Sequence, residues 1–170
     1  MKKSKLISAL VLALGIILIF ASCGDENIGQ KKEEKIPNPT PQSFVESYYK
    51  AWQDADGDAV IALTCEPMWK VEAKSEKLSV KESKAEYKKR FAEYAGSEVY
   101  YKILETKEYK ESDEEYKRIY EWAKSRYNIE IEGYAFVRAS AAYDKGEPFI
   151  ENMEIIKYKG SWYGRDLLGI

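Results

Sequence analysis

The chain has 170 residues, of which 45% are hydrophobic and 33% are charged, and this composition suits one ordinary globular domain with a targeting segment. Histidine is absent, which excludes Ser-His-Asp and Cys-His catalysis and every metal site that requires histidine. Two cysteines are too few for a disulfide scaffold. The sequence predicts no catalytic residue, no metal site and no cofactor site.

The charge balance argues against nucleic acid as a partner. The chain carries 27 basic and 29 acidic residues. Without Lys2, Lys3 and Lys5 of the N-terminal segment, 24 basic and 29 acidic residues remain, a formal net charge of −5. A nucleic-acid interface needs a basic stripe, and anionic lipid attracts polybasic segments, so charge favours neither partner.

The N-terminus is typical of a secretory signal. Residues 1–5 are basic and residues 6–20 form an apolar run. A run of about 15 residues is short for a membrane-spanning helix, which needs roughly 20. We therefore predict that residues 1–22 form a signal peptide.

Residues 20–24, with the sequence FASCG, resemble the lipobox of bacterial lipoprotein signal peptides. The small residues Ala21 and Ser22 and the cysteine Cys23 match the pattern, whereas Phe20 is bulkier than the usual aliphatic residue. The resemblance implies that Cys23 receives a diacylglycerol group and becomes the new N-terminus. Two acyl chains supply the double anchor that a single chain does not provide. We therefore expect a lipid anchor in the bacterial cell membrane, with the protein facing outside the cytoplasm. An ordinary secretory signal and an uncleaved anchor are the alternatives.

Residues 23–40 contain almost no large apolar side chain. Ile28 and Ile36 are the exceptions, and residues 31–35 form a short run of mixed basic and acidic residues. A segment that cannot bury apolar surface does not fold by itself. We predict a lipidated cysteine and a flexible tether here, followed by a single α+β domain over residues 41–170.

The domain is predicted to begin with a helix. Apolar residues recur at helical spacing from Phe44 to Trp52, and Thr40 followed by Pro41 is typical of a helix start.

Residues 54–58 contain three aspartates and Gly57. An EF-hand loop has glycine at its sixth position and glutamate at its twelfth, but counting from the first aspartate places Gly57 fourth and Pro67 twelfth. We therefore interpret Gly57 as the left-handed end of the first helix and Asp58 as the N-cap of a short helix over residues 59–64.

Two S-x-x-E patterns, at Ser79 and Ser112, predict two further helices that end near Gly96 and Tyr127. Alternating apolar and polar side chains predict the strands. These strands cover residues 68–78, 98–110, 129–143, 149–159 and 162–168.

This order of helices and antiparallel strands resembles the nuclear-transport-factor-2-like superfamily. The first helix ending in Trp52, the Gly57-Asp58 start of the second helix and the terminal run at residues 160–163 carry the resemblance over about residues 41–170. It implies N-terminal helices packed on a curved, mainly antiparallel sheet that forms a cone, and a cystatin-like sheet around one helix is the nearest alternative. The superfamily includes isomerases, dehydratases, hydrolases and noncatalytic binding modules, so this fold would not determine the function.

Aromatic side chains predicted to face the cone are our candidates for a ligand pocket, because they offer stacking surface together with hydroxyl or indole donors. The candidates are Tyr48, Trp52, Trp69, Tyr87, Tyr101, Tyr134 and Trp162. Arg138 joins them because it lies in an otherwise apolar strand, where an inward guanidinium would need an anion. An outward or ion-paired Arg138 is the alternative.

Cys65 has no histidine partner, and we interpret it as a small buried hydrophobic residue rather than a reactive thiol. We expect a noncatalytic envelope protein that is anchored to the membrane through Cys23 and binds a small ligand or a partner protein. The alternatives are an enzyme that uses a pocket carboxylate and a homodimer packed through the sheet face.

Overall fold

A computed structural model describes residues 37–167. The predicted signal peptide, Cys23 and most of the predicted tether lie outside the described residues. The described part belongs to a single compact unit, residues 35–170. Its elements are five α-helices and four β-strands.

The first helix, α1 (Pro41–Gln53), begins where the sequence predicts. The Thr40 hydroxyl oxygen accepts a hydrogen bond from the backbone N–H of Ser43, and the Ser43 hydroxyl oxygen accepts one from the N–H of Thr40. This reciprocal cap satisfies two backbone donors, and Pro41 adds none that would need a partner. The buried side chains of α1 are Pro41, Phe44, Val45, Tyr48, Tyr49 and Ala51.

Ordered structure begins before residue 41, in the last residues of the predicted tether. Asn38 is only 3% exposed. Its backbone oxygen accepts a hydrogen bond from the N–H of Trp162 over 2.8 Å, and its side-chain oxygen accepts one from the Ser47 hydroxyl over 2.9 Å. Asn38 therefore joins the entry of α1 to the C-terminal part of the domain.

The second helix, α2 (Gly57–Ala62), begins two residues earlier than predicted. Its N-cap is Asp56 rather than Asp58, because the Asp56 carboxylate accepts hydrogen bonds from two backbone N–H groups of the first turn at 3.0 and 2.9 Å. The left-handed conformation predicted for Gly57 occurs at Ala55, with φ +50°.

The predicted strand over residues 68–78 is wrong, because most of this segment forms a helix, α3 (Glu66–Ser75). Pro67 lies in the first turn, where its fixed φ and missing N–H are compatible with a helix. The buried residues are Met68, Trp69 and Ala73, which share one helical face. The apolar residues of a short amphipathic segment fit both the strand period of two and the helical period of 3.6, and here the helical period is correct.

The helix α4 (Val80–Tyr94) has the predicted capping box. The Ser79 hydroxyl oxygen accepts a hydrogen bond from the N–H of Glu82 over 3.2 Å, and the Glu82 carboxylate accepts one from the N–H of Ser79 over 2.8 Å. The chain leaves the helix through Gly96 at φ +99°, a conformation that favours glycine.

Four strands form one antiparallel sheet in the order β1-β2-β3-β4, so strands that follow each other along the chain are neighbours. The strands are β1 (Val99–Tyr109), β2 (Gly133–Tyr143), β3 (Phe149–Tyr158) and β4 (Ser161–Gly164). The other four predicted strands are confirmed apart from their ends, since β2 begins four residues later and β4 ends four residues earlier than expected. A register irregularity between Ile103 and Glu105 interrupts the β1–β2 pairing.

The helix α5 (Glu114–Tyr127) follows β1 and is not capped by Ser112 as predicted. Its N-cap residue is Asp113, whose carboxylate accepts a hydrogen bond from the N–H of Lys110 instead and so closes the preceding turn. The helix ends at Asn128, which adopts a left-handed conformation with φ +55°.

Different helices pack against the two faces of the sheet. On one face, called the core face, Ala139 and Ile155 pack in a single buried cluster with side chains from the helical part of residues 41–94. On the opposite, outer face, Tyr134 and Ile156 pack with α5. Arg138, which points away from the core face by strand alternation, is exposed.

The architecture is therefore α+β, with five helices and a four-stranded antiparallel sheet in the described part, and the predicted fold class is confirmed at this level. The finer prediction of a cone like that of nuclear transport factor 2 or cystatin stays a prediction.

Candidate functional site

One carboxylate lies on the core face of the sheet, near the hairpin that connects β2 to β3. It belongs to Glu151, which pairs with Ala139 of β2. The hydroxyl of Tyr48 donates a hydrogen bond to its Oε1 over 2.9 Å, and the hydroxyl of Tyr49 donates one to its Oε2 over 2.8 Å. A single carboxylate thus links α1 to β3.

Aromatic rings continue outward from these two tyrosines. Tyr49 stacks on Tyr101 of β1, with ring centroids 4.2 Å apart. Trp52 meets Tyr143 of β2 edge to face at 6.0 Å. We call the whole group the Glu151 cluster. It comprises Glu151, Tyr48, Tyr49, Trp52, Tyr101, Tyr143 and Phe149.

Local structure explains why these residues meet. Tyr48 and Trp52 are four residues apart on α1 and therefore share one helix face, where their rings lie 6.3 Å apart. Across the sheet, Tyr101 pairs with Ala141, which in turn pairs with Phe149, so these three side chains share the core face. The small side chain between the two rings leaves room for the rings of α1.

The tyrosines of the cluster are held in the neutral form. Burial raises the pKa of Tyr48 and of Tyr49 far above the usual tyrosine value, and the negative charge of Glu151 adds to both increases. The same two causes raise the pKa of Tyr143 to about 12. The hydroxyls of Tyr48 and Tyr49 are therefore hydrogen-bond donors to the carboxylate at every physiological pH.

The indole nitrogen of Trp52 is buried beside the Tyr48 hydroxyl. It forms no well-aligned hydrogen bond with any group in the described part of the chain. The indole N–H lowers the pKa of the Tyr48 hydroxyl and so partly counteracts the increase that burial causes. The cluster therefore contains a polar N–H group close to the Tyr48–Glu151 hydrogen bond.

The cluster has a buried floor and an open rim. The side chains of Tyr48 and Tyr49 are 6% and 1% exposed, whereas Tyr101 is 39% and Phe149 is 45% exposed. Glu151 lies between these extremes as a half-buried residue. A ligand can therefore reach the rim rings from solvent while the floor remains fixed by packing.

Three of the eight predicted pocket residues meet in this cluster: Tyr48, Trp52 and Tyr101. Their prediction rested on aromatic character and inward direction alone. The structure brings them together around a carboxylate that the sequence had not identified.

Three other predicted residues are part of the packed interior. Trp69 and Tyr87 contact each other edge to face, and each uses its polar group internally, the indole N–H on the backbone oxygen of Ile61 and the hydroxyl on that of Leu167. Trp162 is 3% exposed and belongs to the same buried cluster.

The last two predicted residues lie on the outer face of the sheet. Tyr134 is buried there and stacks on Tyr109 at 4.9 Å. Arg138 is exposed on the same face, paired in register with Glu105 and Asn152. Neither residue contributes to the Glu151 cluster, and the placement of Arg138 matches the outward alternative.

Sequence reasoning missed Tyr49, Tyr143, Phe149 and Glu151. The signal that identifies Glu151 is its strand position, because it shares the period of two with Met153 and Ile155, both of which are buried. An acid in phase with buried residues faces the core and needs partners. Those partners are about one hundred residues away in the sequence, so they cannot be inferred from local pattern.

A concavity of about 750 Å³ lies beside α5, away from the Glu151 cluster. Glutamates line it together with Lys117 and the stacked rings of Tyr116 and Tyr120. Two of the acids have partners already, because Glu130 forms an ion pair with Lys124 and Glu132 accepts a hydrogen bond from a backbone N–H. Within residues 37–167, no group of three or more acidic or cysteine side chains is arranged to hold a metal ion.

Cys65 is buried and forms no disulfide within residues 37–167. Burial raises the pKa of its thiol to about 11, so the thiolate is scarce at neutral pH. The interpretation as a small buried hydrophobic residue agrees with both observations.

No family model, no curated protein and no solved structure matches this chain. Of the helices in the described residues, none has the length and apolar character to cross a membrane.

Proposed function

We propose that the chain is a lipid-anchored, noncatalytic protein of the bacterial cell envelope, which binds a small ligand at the Glu151 cluster outside the cytoplasm. The single observation that carries the binding part is a half-buried carboxylate held by two neutral tyrosine hydroxyls beneath partly exposed aromatic rings. Such a mixture of apolar surface and a few oriented polar groups is typical of ligand sites.

The location rests on the sequence. The apolar run at residues 6–20 and the lipobox-like FASCG segment support export and lipidation of Cys23. Mass spectrometry of the mature N-terminal peptide tests this part, because it should begin at a diacylated Cys23. A Cys23→Ala variant should incorporate no fatty acid and leave the membrane fraction, and a mature protein with an unmodified Cys23 would contradict the anchor.

Native mass spectrometry tests the binding part. Residues 35–170 would be purified gently from a bacterial lysate, and their native and denatured masses compared. We expect an excess mass that disappears on denaturation and that is lost in a Phe149→Ala variant but kept in a Glu105→Gln variant, which changes the outer face. An excess mass that survives Phe149→Ala would place the ligand elsewhere.

An enzyme is the second candidate, because Glu151 supplies the pocket carboxylate that proton-transfer chemistry needs. The two functions differ in what Glu151→Gln does to a ligand once its mass is known. If the chain is an enzyme, the wild type converts the ligand, and the Glu151→Gln variant binds it without converting it. If the chain is a binding protein, the wild type returns the ligand unchanged.

Self-association is a third candidate, favoured by apolar side chains on the outer face. Tyr100 and Ile150 point away from the core face and are 56% and 47% exposed. Light scattering tests this homodimer, because a dimer that dissociates in an Ile150→Lys variant would support it and a monomeric wild-type chain would contradict it.

A further inference from the structure

We propose that the Glu151 cluster binds a quaternary ammonium group, an inference that rests on the proposed role of this cluster as a ligand site. The carboxylate offers a negative charge, and the faces of the surrounding rings carry the negative side of the aromatic quadrupole. Both features attract an organic cation and repel an anion.

The hydrogen-bond partners of Glu151 leave its negative charge in place. Among residues 37–167, none of the ion pairs includes Glu151. Its two oxygens accept hydrogen bonds from Tyr48 and Tyr49, which are neutral groups. A half-buried carboxylate without a cationic partner attracts a cationic ligand.

Ring faces are available next to this charge. Tyr101 and Phe149 are the most exposed members of the cluster, and they lie on two strands separated by one. Adjacent strands are about 5 Å apart, so the backbone positions that carry the two side chains are about 10 Å apart, and both side chains are on the same face. The ring of Tyr143 stacks on that of Phe149, with centroids 5.7 Å apart, and so enlarges the aromatic surface.

The polar groups of the cluster favour a quaternary ammonium over other cations. A calcium ion takes six to eight oxygen ligands, whereas this cluster has one carboxylate with both oxygens already accepting hydrogen bonds. A primary ammonium has three N–H donors to satisfy, and few acceptors are free here. A quaternary ammonium has no N–H group, so it needs no hydrogen-bond acceptor, and it interacts well with aromatic faces.

Calorimetric titration of the full chain in dodecyl maltoside tests the inference. The probe is choline, compared at constant ionic strength with 3,3-dimethylbutan-1-ol, its uncharged analogue of equal shape. We expect choline to bind about tenfold more tightly than the alcohol. Glu151→Gln should reduce this preference, and Phe149→Ala should weaken choline binding while leaving the fold intact because the residue is 45% exposed. Glu105→Gln is the matched control, since it removes an exposed acid from the outer face.

The outcomes separate this inference from the proposed function. Equal binding of choline and the alcohol, or choline binding that Glu151→Gln and Phe149→Ala leave unchanged, overturns the ammonium site. Absence of choline binding in a chain that retains a native excess mass sensitive to Phe149→Ala also overturns it, while the proposed ligand site stands. Absence of both signals overturns both.

Discussion

The hydroxyl of Tyr49 donates a hydrogen bond to the carboxylate of Glu151 over 2.8 Å, although 102 positions separate the two residues in the chain. Tyr49 is 1% exposed, so its hydroxyl has few solvent alternatives. The contact fastens α1 to the hairpin end of the sheet. It also orients the one carboxylate around which the aromatic cluster is built.

A double-mutant cycle measures this contact. Tyr49→Phe removes the donor and should lower the free energy of unfolding by about 1–2 kcal/mol, since a hydrogen bond to a charged acceptor is lost. The coupling energy between Tyr49→Phe and Glu151→Gln should be about 1 kcal/mol in urea unfolding. Tyr94→Phe is the control, because Tyr94 is 66% exposed and should change stability by less than about 0.5 kcal/mol. Purely additive effects would show that the contact does not contribute.

The two serines of the S-x-x-E patterns should behave differently. Ser79→Ala removes a capping box and should cost about 1 kcal/mol of unfolding free energy. Ser112→Ala should change it by less than about 0.5 kcal/mol, because Ser112 is exposed and does not cap α5. Chemical denaturation of both variants provides the test. Equal losses would mean that Ser112 caps its helix in solution after all.

Stability should fall at alkaline pH through buried tyrosines. Burial raises the pKa of Tyr87 from 10.0 to about 12. Between these values the unfolded chain releases a proton that the native chain keeps, so the stabilisation is complete below about pH 10 and is lost as pH rises toward 12. Burial also raises the pKa of Tyr143 to about 12, so its titration should lower the free energy of unfolding over the same pH range. Urea unfolding between about pH 9 and pH 12 should show a falling free energy of unfolding.

Tyr87→Phe provides the control for this alkaline loss. It removes a titrating group and the hydrogen bond to Leu167, so we expect lower stability at neutral pH together with a weaker dependence on pH. Tyrosinate absorbance should rise for the buried rings only as the protein unfolds. Stability that stays constant up to pH 12 would be incompatible with neutral buried tyrosines.

The thiol of Cys65 should be unreactive in the native state. It is 3% exposed, and burial raises its pKa to about 11. In a Cys23→Ser chain, which keeps Cys65 as its single cysteine, a disulfide reagent at about pH 8 should react at least about 100-fold more slowly without urea than in denaturing urea. Rapid labelling of the native chain would contradict this environment.

Local signals in the sequence determined much of the secondary structure. The starts of α1 and α4 were predictable because Thr40 and Ser79 make hydrogen bonds within one turn of chain. The strands were predictable because alternation with a period of two follows directly from strand geometry. The α+β class follows from these elements together.

Tertiary structure decided what local signals leave ambiguous. Residues 68–75 fit both periods, and they are helical because Met68, Trp69 and Ala73 then reach buried positions together. Asp56 rather than Asp58 caps α2, because the Asp56 carboxylate is the one that reaches the free N–H groups of the first turn. Several carboxylates lie close together in this segment, and the local sequence does not show which of them does so.

Most of the helices and strands, the α+β class and the lack of histidine chemistry were therefore predictable from the sequence, because each depends on composition or on neighbours within one helical turn or one strand. The Glu151 cluster was decided only by tertiary structure. Its carboxylate, its tyrosine donors and its rim rings come from α1, β1, β2 and β3, and long-range packing, which local periodicity does not encode, brings them together.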